Sequence, residues 1–329
     1  MKDHYQVIVV GGGTGGLTVA AQLLNSSNPP EVAIIEPSEK HYYQPLWTLV
    51  GAGVFPKEES ERNEADFMPA GAEWIKDAVA SFDPAKNKLS TKAGKELGYD
   101  YLVVSAGIQI DWDAIPGLKE SVGKPGTGVV SNYSYDTVSA TWETLRNFKG
   151  GVALFTEPST AVKCGGAPQK IMYLADDAFR KQGVRDKTTI HFCSPKTSIF
   201  AVKKYADSLD KVIARKGIEP KWEHNLKALN PDKKEAIFDH KGSDITLKYD
   251  MIHVTPPQSS PNFIKQSPLA TKDGWVDVNK DTLQHNKFAN VFALGDNSSL
   301  PTSKTGAAIR KQAPTVVANL LSAIAGQPL

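Results

Sequence analysis

Residues 6 to 10, Gln-Val-Ile-Val-Val, form a short β-branched apolar run that passes directly into Gly11-Gly12-Gly13-Thr14-Gly15-Gly16. Gly11, Gly13 and Gly16 satisfy the spacing G-x-G-x-x-G, and Leu17 to Leu24 has the composition of a helix. Such a loop turns a buried parallel strand sharply into a helix whose N-terminal backbone amides face a pyrophosphate. The next apolar run, Val32-Ala33-Ile34-Ile35, ends on Glu36, where a carboxylate hydrogen-bonds a ribose diol. A glycine loop alone marks only a tight turn. Strand, loop, helix, strand and acid in this order predict a dinucleotide-binding unit, without choosing between FAD and NAD.

Two later segments bear on that choice. Tyr99 to Val104 reads as a strand closing on the small residues Ser105, Ala106 and Gly107, and Asn290 to Asp296 reads as another strand, which ends on a lone acid. Together with the first loop they resemble the paired signatures of the two-dinucleotide-domain flavoprotein disulfide reductase superfamily. That resemblance implies FAD, an FAD domain split in sequence, and Asp296 on the ribityl chain, with Ala106, Gly107 and Gly295 also at the cofactor. The expected fold is α/β with two Rossmann-like domains. Residues 1–115 and 248–329 form the FAD domain, and residues 116–247 form the second, inserted at turn-like crossovers.

The insertion has its own βαβ pattern: a strand over Gly150 to Phe155, a helix over Ala167 to Lys181 and a strand over Thr188 to Cys193. Lys203 to Lys216 follows at helical spacing with a charged, solvated face, before an apolar stretch marked by Trp222, Leu226 and Leu229. A second glycine-rich phosphate loop would have to follow Phe155. The chain instead reads Thr156-Glu157-Pro158 and continues to Lys163-Cys164-Gly165-Gly166-Ala167-Pro168-Gln169-Lys170. A proline removes an amide donor and an acid repels pyrophosphate, so NADH binding here is disfavoured. The segment supplies a thiol in place of a phosphate site. A helix N-terminus and nearby Lys163 and Lys170 favour the thiolate, the form that attacks sulfur. Cys193 ends an apolar strand and is expected to be a buried structural thiol, unpaired with Cys164.

Val162-Lys163-Cys164-Gly165-Gly166-Ala167-Pro168-Gln169-Lys170-Ile171-Met172-Tyr173 resembles the sulfide:quinone oxidoreductase family, in particular its mitochondrial-type branch. His41 to Gly53, His253-Val254-Thr255-Pro256-Pro257, Gly274 to Val278 and Leu300 to Thr305 resemble it as well, so the likeness runs from Val7 to about Ala318. It implies a flavin-dependent oxidoreductase that converts sulfide to sulfane sulfur at a cysteine pair, with FAD taking two electrons and quinone removing them. Cys164 is then the redox cysteine near the flavin. Lys304 is expected to place positive charge by the flavin pyrimidine, with Pro45, Tyr42, Tyr43 and Trp47 lining the flavin or the quinone side.

In that family the second redox cysteine and the membrane-docking helices lie downstream of the Gly295-Asp296 segment, whereas no cysteine follows Cys193 in this chain. Impaired turnover is therefore expected, or single-thiol sulfur transfer with a small thiol or partner protein as sulfur acceptor. The alternatives are an NADH:quinone dehydrogenase of the same fold and a flavin-binding sensor or partner protein without turnover. Among 329 residues, 38 basic and 36 acidic side chains leave a net charge of +2, which gives no bulk attraction for nucleic acid. No apolar run reaches the roughly 20 residues of a membrane helix. The N-terminus carries no signal core, so a cytoplasmic protein is expected, peripheral to a membrane where a docking region exists. No metal site is expected, and a homo-oligomer is compatible with the sequence.

Overall fold

The computed structural model describes residues 2–329. The chain divides into two compact units. The first joins the N-terminal stretch through Tyr42 with Arg62–Gln109 and Ser259–Leu329, and the second comprises Tyr43–Glu61 and Ile110–Gln258.

In the first unit, β-branched runs with no polar alternation become the buried parallel strands expected of an α/β sheet. The order is Glu73–Ile75, Val32–Ile35, His4–Val10, Glu96–Val104, Lys88–Thr91, Val79–Asp83. The strands from Glu73–Ile75 to Glu96–Val104 run parallel, and the last two are added antiparallel. Strand Val291–Ala293 also pairs in parallel with Leu102–Val104, so the far end of the sequence completes the N-terminal sheet. Tyr5, Ile8, Ile34, Tyr99 and Phe292 fill its core. Helix Thr14–Leu24 starts three residues earlier than its apolar spacing suggests. The stretch Asn290 to Asp296 is strand only over Val291–Ala293, because the chain then turns through a 3-10 helix at Gly295–Asn297.

The second unit is built on a wholly parallel sheet in the order Val129–Val130, Met251–His253, Gly151–Thr156, Thr188–Ser194, Ile218–Trp222. Helices Ala167–Lys181 and Lys203–Lys216 have the bounds expected from the sequence. The apolar stretch after Trp222 forms an antiparallel three-stranded sheet, His224–Asn230, Glu235–His240 and Ser243–Lys248. Residues 43–61 pack in this unit. A Cβ on Gly51 would lie 3.1 Å from the Asn132 Cβ and 3.5 Å from Ile171, and one on Gly53 would overlap the Trp142 ring at 2.3 Å. Close backbone packing thus fixes this excursion on helices Val138–Asn147 and Ala167–Lys181.

A buried carboxylate ties the helices of this unit to its sheet. Asp176, fully buried, accepts from Arg180 Nε at 3.0 Å, Arg185 Nε at 2.7 Å and Lys216 Nζ at 2.6 Å. Arg185 also donates to the carbonyls of Thr188 and Gly217. Burial pushes the Asp176 pKa up, but the hydrogen bonds from Arg180, Lys216 and Arg185 outweigh it and hold the carboxyl below its ordinary 3.8. The native pKa lies below the unfolded one, so the stabilisation is present above about pH 4 and is lost as the pH falls below that value. Removing one partner of a buried ion cluster leaves the others uncompensated. Asp176→Asn is expected to destabilise the second unit by about 2–3 kcal/mol at pH 7, allowing for the half-exposed Arg180. Urea unfolding followed at pH 7 and pH 3 checks this, because the difference from wild type should shrink at the lower pH.

Candidate active site

The glycine loop shows why each of its residues is small. Gly11 sits at φ +103°, and a Cβ on Gly16 would lie 1.8 Å from the Gly11 carbonyl oxygen, so the helix is pressed onto the end of the strand. Gly13 is different: its Cβ position meets no protein atom within 4 Å. It caps helix Thr14–Leu24, which has no side-chain cap and no acid in its first turn. Those N-terminal amides and the helix dipole are what an anionic pyrophosphate requires. Glu36 follows the second strand, its Oε2 accepting from Gly12 N–H at 2.8 Å and its Oε1 from Ser38 N–H at 2.7 Å. Burial raises its pKa against these two bonds. Beside it lies buried Glu64, whose Oε2 is 3.1 Å from His41 Nδ1. That hydrogen bond raises the His41 pKa.

The remaining cofactor candidates join this cradle within the same unit. Ala106 Cα lies 3.0 Å from the Cβ position of Gly11, and Leu294 packs beside Gly15. Buried Asn297 was not singled out by the sequence, yet it accepts from Gly107 N–H and donates to the Val104 carbonyl, both at 3.1 Å. Gly295, in a left-handed conformation, donates its N–H to Gln312 Oε1 at 2.9 Å. Lys304 Nζ donates to the backbone carbonyls of Asp296 at 2.6 Å and Ser298 at 3.3 Å, and lies 3.6 Å from the centre of the Trp275 ring. Burial lowers its pKa to about 8, while the Asp296 carboxylate opposes the shift. Open space at Gly13, an uncapped helix start and a desolvated Glu36 fit a dinucleotide. Of the residues that the sequence leads one to expect at FAD, Gly11, Gly13, Gly16, Glu36, Ala106, Gly107, Gly295, Asp296 and Lys304 all lie in this first unit.

In the second unit the loop after Gly151–Thr156 carries Cys164. Its backbone is left-handed at φ +57°, uncommon for a residue with a Cβ, and its carbonyl accepts from Ala167 N–H at 2.8 Å. The partly exposed Sγ is 3.3 Å from Lys170 Nζ. Of the two expected lysines, Lys170 is the one seen to hydrogen-bond the sulfur. The Lys163 ammonium turns away to Gln44 Oε1 at 2.6 Å and to the faces of Trp47 and Tyr133, an amide and two π systems that solvate its charge. Trp47 itself is buried, donating to Ser60 Oγ at 3.1 Å, whereas Tyr43 is 62% exposed.

Side-chain and backbone bonds stitch this loop to the segment after Met251–His253. Thr255 N–H donates to Thr156 Oγ1 at 3.3 Å, Gln258 N–H to Thr160 Oγ1 at 3.0 Å, and Lys163 N–H to Gln258 Oε1 at 2.9 Å. Glu157 is buried, accepting from the Ser194 hydroxyl and from Lys196 Nζ at 2.8 Å. Lys196 was not anticipated, because 39 residues separate it from its partner. Cys193 is fully buried and burial raises its pKa to about 12, consistent with a structural thiol.

A dinucleotide cradle on one Rossmann-like unit, and on the other an accessible thiol where a phosphate loop would stand, define a thiol-bearing reductase of the dinucleotide-dependent class. Residues 5–137 match the family described as Pyridine nucleotide-disulphide oxidoreductase. The whole chain is 53% identical to the mitochondrial sulfide:quinone oxidoreductase of Dictyostelium discoideum, of which it spans 73%. It is 49% identical to the corresponding Mus musculus protein over 94% of this chain and 69% of that one. Among solved structures, the sulfide:quinone oxidoreductase of Aquifex aeolicus superimposes with a TM-score of 0.83 at 21% identity, covering 99% of this chain and 78% of that one. The chain belongs to the sulfide:quinone oxidoreductase family, whose members are flavin-dependent. Among the described residues no helix is long and apolar enough to cross a membrane.

Gly13 and Gly16 separate binding from folding. Gly13→Ala is expected to leave the thermal midpoint nearly unchanged and to weaken FAD binding at least about tenfold, which is ~1.4 kcal/mol. Gly16→Ala, which drives a methyl into the Gly11 carbonyl, is expected to lower the thermal midpoint as well. Fluorescence titration of apoprotein with FAD and a melting curve of each variant check both outcomes.

Proposed function

We propose that this protein oxidises sulfide to sulfane sulfur captured on Cys164 and passes the two electrons through FAD to a quinone. The observation that carries the reading is the Cys164 sulfur, 3.3 Å from the Lys170 ammonium, on the loop that replaces a second phosphate site. In the net reaction the Cys164 thiolate, hydrosulfide, quinone and one proton give the Cys164 persulfide and quinol. The new S–S bond is the two-electron oxidation, and the quinone is reduced. FAD, when bound, supplies the two-electron relay between sulfur and quinone. Lys170 offers a cation to the anionic sulfur, and the strained Cys164 backbone presents the thiol from a loop pinned at Thr156, Thr160 and Lys163. A small thiol or a partner protein then accepts the sulfur. Since quinones partition into lipid, the protein works peripherally at a membrane.

An NADH-driven reading is less well supported, because Glu157 and its Lys196 counter-charge stand where NADH phosphates would need amide donors. A flavin-binding sensor without turnover is separated from the enzyme by sulfide-dependent bleaching of the flavin. Cys164→Ser is expected to abolish that bleaching while FAD stays bound. Cys193→Ser should change the rate by less than about twofold, since its buried thiol, raised to about 12, stays protonated. Bleaching by sulfide in Cys164→Ser would sink the assignment.

Lys304 generates a pH prediction. Its charge favours an electron-rich cofactor and is lost as the pH rises through about 8. The flavin midpoint potential should therefore fall more steeply with pH above about 8 in wild type than below it. Lys304→Met should remove that break and lower the potential at pH 7. Dye-equilibration titrations across pH 6 to 10 read both effects.

A further inference from the structure

Three polar side chains close to Cys164 are buried and lack hydrogen bonds for groups able to donate. Tyr133 is 4% exposed, and Thr255 and Gln258 are 1% exposed each. The Gln258 Nε2 has no hydrogen-bond partner, and the Tyr133 and Thr255 hydroxyls have none beyond each other. Leaving such groups unpaired away from water costs free energy, so three together mark a place where an acceptor belongs.

Their positions follow from the loop stitching. Gln258 anchors its Oε1 on the Lys163 N–H, the amide next to Cys164, and its own N–H on Thr160. Its NH2 group is thereby held beside the cysteine loop. Tyr133 lies under the Lys163 ammonium, near enough to Cys164 for a charge there to act on its phenol, and close to Thr255. Burial raises the Tyr133 pKa, so the phenol stays a donor throughout the working pH range. With these two hydroxyls bonded to each other, one O–H remains over. His253 steadies the turn that presents Tyr133: its buried Nε2 lies 3.0 Å from Asn132 Oδ1 and 3.2 Å from the Asn132 backbone nitrogen, and burial lowers its pKa to about 3, so it stays neutral.

We propose that Tyr133, Thr255 and Gln258 form a donor cradle for the anionic terminal sulfur of a persulfide on Cys164. The ligand class is a small, soft sulfur anion, which accepts hydrogen bonds from O–H and N–H and gains further from the Lys170 ammonium. The cradle slows loss of the sulfane sulfur until its acceptor arrives. The proposal rests on the reading of Cys164 as the sulfur-bearing thiol, and its test separates the two.

FAD-loaded protein is treated anaerobically with inorganic polysulfide. The Cys164 thiolate displaces a shorter polysulfide anion, one S–S bond forming as another breaks, so no external oxidant is needed. Cyanide then removes the terminal sulfur as thiocyanate and regenerates the thiolate, and intact-protein mass spectrometry follows the loss. Tyr133→Phe, Thr255→Val and Gln258→Glu, the last keeping the oxygen that accepts from Lys163 N–H while removing the Nε2 donor, should each lose sulfur at least about fivefold faster than wild type. Thr255→Ser, which keeps the hydroxyl, should stay near wild type. Alkylation of unloaded Cys164 by iodoacetamide should be unchanged in all of them. Equal cyanolysis rates in wild type and the three variants overturn the cradle alone. A faster loss matched by an equal change in alkylation means that the loop has moved, and overturns it too. A wild-type Cys164 that takes up no sulfur removes the functional reading and the cradle with it.

Discussion

The first unit depends on one close approach, Gly16 pressed onto the carbonyl of Gly11. That contact sets the helix Thr14–Leu24 against the end of strand His4–Val10, and the helix begins after Gly13 with no side-chain cap on its first amides. The rest of the cradle is organised around it. Ser105 Oγ donates to the Val10 carbonyl at 2.9 Å, bringing the Ala106-Gly107 turn alongside, and Asn297 locks that turn to the segment holding Asp296 and Lys304. The far end of the sequence thus reaches the glycine loop through the parallel pairing of Val291–Ala293 with Leu102–Val104. Ligand-binding loops at the carboxyl ends of parallel strands are the general rule for such sheets.

The second unit shows the same scaffold put to other use. Its parallel sheet also ends in a loop, but that loop buries an acid, Glu157, whose charge is met by Lys196 and the Ser194 hydroxyl. Lys196 is half-exposed but Glu157 is not, and leaving a buried carboxylate without its partners is costly, which favours this arrangement of the loop. The arrangement favours neither a pyrophosphate nor the amides it would need. It holds Cys164 in a left-handed conformation, tied by Thr156, Thr160 and Lys163 to the segment that follows Met251–His253. A thiol so placed, with one ammonium at 3.3 Å, suits sulfur exchange better than hydride transfer from a bound nicotinamide.

Much of this was legible in the sequence where the signal is local. Helices Ala167–Lys181 and Lys203–Lys216 carry their period in consecutive residues, and Gly11, Gly13, Gly16 and Glu36 follow a fixed spacing. What escaped is non-local. Lys196 for Glu157, Asn297 for Gly107 and Gln258 for Lys163 are single polar residues whose partners lie 39, 190 and 95 positions away. The antiparallel sheet over His224–Lys248 was unread because its strands share no clear apolar alternation: His224–Asn230 buries only Leu226 and Leu229, and Ser243–Lys248 buries no residue. Lys163 points elsewhere than its adjacency to Cys164 suggested, because Gln44 and two aromatic faces compete for its charge.

The central claim is that electrons enter this protein from sulfide at Cys164 and not from a nicotinamide. It is tested most directly by mixing FAD-loaded protein anaerobically with sulfide or with NADH, following the flavin absorbance, and then adding a water-soluble quinone. The account predicts bleaching by sulfide, none by NADH, and recovery of the colour with quinone. Bleaching by NADH with no response to sulfide would contradict it.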